Sequence, residues 1–169
     1  MNNMNLTSKV LDIMPESLRD TAMLRLFGLS KVPLLFWIKP RVVVMNDEIC
    51  TISIPLNRRT KNHLNSMYFG VLACGADAAG GLMAMKLIKN SGQEVALAFK
   101  EFEAKFLKRA EGETHFTCHQ GKEISEFVDM VLTSDERHHM PVTVIATCPK
   151  QLGDEPVGEF TLQLSLKKK

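Results

Sequence analysis

Between Asn62 and Met85 the chain has no Lys or Arg, and Gly70, Gly75, Gly80 and Gly81 stand there among Ala73, Ala76, Ala78, Ala79 and Ala84. This stretch constrains the fold more than any other. Residues from about Ser66 to Lys89 read as one long helix, with Asn65 or Ser66 suited to cap it. Each interior glycine weakens a helix by roughly 1 kcal/mol relative to alanine, and a solvated surface gives no return for that loss. A return exists where only small side chains let a sheet come close to the helix backbone. Asp77 in the middle, with Lys86 and Lys89 at the end, argues against a membrane span. The stretch predicts a buried helix with a sheet curved around it.

The flanking sequence supplies that sheet. From Arg41 the apolar period is two: Val42 to Val44, a turn at Asn46-Asp47-Glu48, then Cys50, Ile52, Ile54 and Leu56 alternating with polar residues. Pro55 suits a strand end. After the helix, Val95, Leu97 and Phe99 alternate, and the phase slips across Lys100-Glu101 to Phe102, Ala104 and Phe106. One slipped residue in a continuous strand predicts a β-bulge that lets the sheet curl. Glu111-Gly112-Glu113 turns into a strand over 114–119, and residues 122–134 return to helical spacing. Pro141 precedes a strand over 142–148, His138-His139 reads as an exposed turn, and Phe160 to Leu166 alternate in a closing strand.

Before residue 40 the pattern is helical. Thr7 or Ser8 suits the cap of a first helix carrying Val10, Ile13 and Met14; Pro15 opens a second helix, which Gly28 and Pro33 end. Val32 to Ile38 is a dense apolar patch holding the only Trp. It predicts an arm packed on the body or on a partner subunit; the sharper alternatives are a lid over an apolar channel or a shallow membrane contact. The expected organisation is an N-terminal helical arm, 1–39, and an α+β domain, 40–169.

The formal charge of +2 and a single basic tail, Lys167 to Lys169, exclude a nucleic-acid partner on charge grounds. The longest apolar run is too short for stable membrane insertion. Four scattered cysteines without a CxxC, and no secretory leader at the start given, predict reduced thiols and a cytoplasmic location. His115, Cys118 and His119 do not form a metal site, since in a strand Cys118 points away from the histidines.

The chemistry concentrates at the helix. Backbone N–H groups of its first turn, near Tyr68 to Gly70, have no intrahelical acceptor, and the helix dipole adds partial positive charge. Such donors suit a developing oxyanion. Asp77, two turns further in, is placed to activate water or to attack as a nucleophile. Arg58, Arg59 and Lys61 form a cationic loop before the helix, read either as a solvated loop or as a phosphate-binding rim. Cys74 reads as packing.

Taken together, a loop Asn62, helix entry Ser66 to Gly70, Ala76-Asp77-Ala78-Ala79 seven residues beyond Gly70, and Phe106-Leu107-Lys108-Arg109-Ala110-Glu111-Gly112 resemble hotdog-fold thioesterases. The similarity is to the phenylacetic-acid-degradation type and a related uncharacterised hotdog group, and spans about residues 40–168. Tyr68-Phe69 replaces the His-Gly that the resemblance expects.

The resemblance implies a hotdog fold, in which a curved antiparallel sheet wraps one long central helix. It also implies an acyl-CoA thioesterase with no cofactor beyond the coenzyme A of its substrate. Asp77, Asn62 and the Gly70 backbone are the catalytic candidates; His63, Ser66, Tyr68, Phe69, Arg58 and Arg59 are the substrate-binding ones. The expected assembly is a homodimer with sites at its interface, or a dimer of dimers. Two other functions stand beside this: a non-catalytic acyl-CoA or lipid binder that lost chemistry with the His-Gly pair, and an enoyl-thioester hydratase or dehydratase using His63 with Asp77.

Overall fold

The computed structural model describes residues 15–169. The helix expected around Val10, Ile13 and Met14 lies outside them. Helix α1, Glu16–Lys31, starts directly after Pro15, whose carbonyl accepts the amides of Leu18 and Arg19. Gly28 does not end it. A Cβ there would stand 2.7 Å from the Phe36 amide nitrogen, so Gly28 instead lets helix α2, Pro33–Ile38, fold back against α1. Leu24, Leu35 and Ile38 of these two helices join the main core.

Strands β1, Arg41–Met45, and β2, Cys50–Ile54, form the first hairpin, with Pro55 just past the end of β2. The long helix α3 spans Phe69–Ser91 and is followed by β3, Val95–Phe106, and β4, Thr114–Cys118. Helix α4, Gly121–Leu132, strand β5, Arg137–Thr147, a single-turn helix α5, Pro149–Leu152, and strand β6, Pro156–Lys168, complete the chain. The six strands make one antiparallel sheet in the order β1-β2-β4-β5-β6-β3. It curls around α3, whose residues from Ala78 to Ala84 are all buried. This is the hotdog arrangement.

By length and composition α3 is the one helix among the described residues able to cross a membrane, and here it is the core of the sheet. Gly75 shows why small residues are needed. A Cβ on it would lie 2.4 Å from the fully buried ring of Phe116 on β4. The bulge in β3 is where the phase slip puts it: Phe99 pairs with Leu164 and Phe102 with Leu162, leaving Lys100 and Glu101 outside the ladder.

Three further expectations need correction. The helix begins at Phe69 with Tyr68 as an extended cap, not at Asn65 or Ser66. Met67 bridges to Lys61, and its amide donates to the Ala110 carbonyl, which holds this segment extended past the point where propensity alone starts the helix. His138-His139 is not a turn but part of β5, which starts at Arg137 because β6 is long enough to pair with it there. The short helix α5 stands where no helix was expected.

Candidate active site

Asp77 faces a cavity of about 220 Å³ between α3, β3 and the N-terminal arm. Leu24, Phe27, Val32 and Leu35 form one wall, and Leu97 to Phe99 of β3 another. Among the described residues no hydrogen bond or ion pair reaches the Asp77 carboxylate. Burial among apolar groups pushes its pKa up, because the charged form loses water without gaining a partner. Cys74, one turn before it, is also pushed up, first by burial and then by the charge of Asp77. Its thiol stays protonated and is a poor nucleophile.

The helix entry forms a second cluster. Among the described residues the amides of Phe69 and Gly70 find no acceptor, while those of Val71 and Leu72 are tied to the Tyr68 carbonyl. No acidic residue occupies this first turn, so the positive end of the α3 dipole is unopposed. The Tyr68 ring covers Gly70: a Cβ there would meet Tyr68 Cε1 at 2.7 Å. The Tyr68 and Phe69 rings meet at a tilt, 4.8 Å between centroids, and both are exposed.

The loop before the helix is ordered by Asn62. Its Oδ1 accepts from the amides of Leu64 at 2.9 Å and Ser66 at 3.2 Å, and its Nδ2 donates to Ser66 Oγ at 3.1 Å. Asn65 adopts the left-handed conformation that such a turn requires, and Lys61 Nζ donates to its Oδ1. The Asn62 amide and buried Ser66 are thus engaged in shaping the loop. His63 and Arg58 are exposed on it. Arg59 lies 4.7 Å over the Trp37 ring, joining the loop to α2.

Within one chain the candidates therefore fall into two groups. Asn62, Ser66, Tyr68, Phe69 and Gly70 surround the helix entry, with His63, Arg58 and Arg59 on the adjoining loop. Asp77 alone lines the cavity, and none of the others does. The N-terminal arm, for which a lid over an apolar channel was one of the alternatives, forms a wall of that cavity. The arm packs on the body, and in doing so Leu24, Phe27 and Leu35 close over Asp77. Nothing in the apolar spacing along α1 says which cavity Leu24 and Phe27 face. His115, Cys118 and His119 are not brought together; among the described residues no cluster of three or more metal-ligating side chains occurs.

Comparison with known proteins bears on the fold and the family. The model of a family described as "Domain of unknown function (DUF4442)" matches residues 21–162. No curated protein matches. Among solved structures, one from Chlorobaculum tepidum, of unknown function, superposes with a TM-score of 0.77 at 14% identity, covering 90% of this chain and 97% of its own. A protein from Pseudomonas aeruginosa described as a probable thioesterase gives 0.70 at 19% identity, covering 88% and 96%. A thioesterase family protein from Silicibacter pomeroyi gives 0.64 at 17% identity, covering 88% and 99%. At these identities the likeness is one of fold. None of the three is described as belonging to the phenylacetic-acid-degradation type.

Proposed function

Because this chain belongs to the DUF4442 family, whose function is undefined, we propose its activity from the site itself: hydrolysis of an acyl thioester, with Asp77 activating water or attacking the carbonyl. The observation that carries this reading is a carboxylate without a partner among the described residues, at the wall of an otherwise apolar cavity. A carboxylate held there without a counter-charge is destabilised, and proton abstraction or nucleophilic attack is the work such a group does well. Solved structures of the same fold described as thioesterases support the assignment.

The oxyanion donors are the free amides of Phe69 and Gly70 at the positive end of α3. Seven residues separate Gly70 from Asp77, about 10 Å along a helix axis. A carbonyl about 3 Å from both an attacking carboxylate and its oxyanion donors does not span that separation in one chain. The reading therefore takes the two groups from two copies, as the resemblance implies. The edge strand β3 is where the second copy docks. Its outer half is exposed on both faces, and Phe102 and Phe106 lie against buried Phe160 while remaining half exposed themselves. A long unpaired edge with apolar side chains is a template for strand addition. The cationic loop residues Arg58 and Arg59 suit the phosphates of coenzyme A, and Tyr68 stands over the oxyanion donors where His-Gly would leave them open.

A panel of acyl-CoA esters assayed for thiol release tests this function. Turnover of at least one member is expected. Tight binding of a non-hydrolysable acyl-CoA without turnover of any ester would identify a binding protein instead. Hydration of an enoyl-CoA by the wild type, lost on His63→Ala, would identify a hydratase.

A further inference from the structure

We propose that Phe27 and Met85 set the length of the acyl chain, by standing between the cavity at Asp77 and a second apolar groove beyond it. The inference rests on the thioester reading above and extends it to the identity of the substrate.

The first cavity is small. If a methylene takes roughly the 30 Å³ that a water occupies in the liquid, about 220 Å³ holds about seven methylenes. Apart from Asp77 its lining side chains are apolar, so a polar substituent on the chain would be buried without a hydrogen-bond partner. An unsubstituted aliphatic or aromatic acyl group fits; a polar one does not.

Beyond it, between α1 and the last turns of α3, lies a groove of about 540 Å³ lined by Ala22, Met23 and Leu26. Phe27 and Met85 line both spaces and are the residues common to them. Phe27 is only partly buried, and Met85 is unbranched and adapts its shape readily. The outer groove ends at Arg19 and Lys89. A chain that passed the partition would run along the face of α1 that carries Ala22, Met23 and Leu26, so the N-terminal arm is the element that measures the substrate.

The test is a length series run on the wild type, Phe27→Ala and Met85→Ala. Thiol release from saturated acyl-CoA esters of about four to about sixteen carbons is measured beside calorimetric binding of the matching free fatty acids, which needs no turnover. The wild type should prefer chains of about eight carbons, near the capacity of the first cavity. In Phe27→Ala the optimum should move several carbons longer, each newly buried methylene adding up to about 4-fold to kcat/KM. Adding Ala22→Phe, which refills the outer groove, should move it back. Met85→Ala repeats the test if Phe27→Ala fails to fold.

Hydrolysis by all variants with an unchanged length profile overturns the inference and leaves the thioesterase reading intact. Absence of hydrolysis by the wild type removes that reading. The fatty-acid series then decides alone: a length optimum that shifts in the variants upholds the partition, and an unshifted or absent optimum overturns it.

Discussion

At the scale of single residues, Asp77 is the group to which the proposed function assigns the chemistry, and it costs the fold stability. Its pKa is raised from the ordinary 3.8 by burial, so the folded chain holds this proton more tightly than the unfolded chain does. Between 3.8 and the raised value the folded state binds more protons, and stability falls as pH rises through that window. Above it the penalty is present in full. Asp77→Asn removes the penalty, so thermal unfolding should show a higher Tm than wild type at neutral pH, with the gap closing toward pH 3. Catalysis has the opposite sign. The carboxylate form is the active one, so kcat/KM should rise with pH on a limb displaced above the normal carboxylate range. A variant that is more stable and less active at neutral pH is the signature of a functional charge; one less stable at every pH would mark Asp77 as structural.

At the scale of elements, α3 explains its own composition. Gly75 is required by contact, since its missing Cβ leaves room for the Phe116 ring. Gly75→Ala should cost up to about 2 kcal/mol, overpacking of about 1–3 kcal/mol set against a gain of about 1 kcal/mol in helix propensity. Gly81 is different. A methyl there lies 3.3 Å from the Phe99 ring, which is only half-buried and can shift by tenths of an ångström. Gly81→Ala should leave Tm unchanged or raise it slightly. Paired thermal melts of the two variants distinguish a helix under contact from one that is merely glycine-rich; equal losses would contradict it.

The helix, the bulge after Phe99 and the closing strand were legible because period and phase are properties of the chain itself. The start at Phe69 was not, because bonds from the distant Lys61 and Ala110 set it. The strand character of His138-His139 depends on the length of β6, and Gly75 needs Phe116 only once β4 lies across the helix. At the site, Asp77 was legible as an isolated carboxylate in a small-residue helix. Its cover by Leu24, Phe27 and Leu35 depends on how the arm folds back, which spacing along the arm does not encode.

At the scale of the whole molecule, the proposed acid and oxyanion donors lie two helical turns apart in one chain, and among the described residues β3 is open along its edge. Assembly and activity are then one property. Light scattering should give a mass of about twice the 19.0 kDa chain. Placing like charges on the exposed edge with Phe102→Glu and Phe106→Glu should shift it toward the monomer and lower kcat in step. A folded monomer with full activity would show that one chain suffices.

Thiol release from the preferred acyl-CoA by Asp77→Asn, compared with wild type under saturating substrate, tests the central claim most directly. The asparagine keeps the shape of the cavity wall and removes only the charge. The account predicts a fall in kcat of about 100-fold or more, as for loss of a positioned base or nucleophile, with binding of a non-hydrolysable acyl-CoA retained. A variant that turns over at the wild-type rate would contradict it.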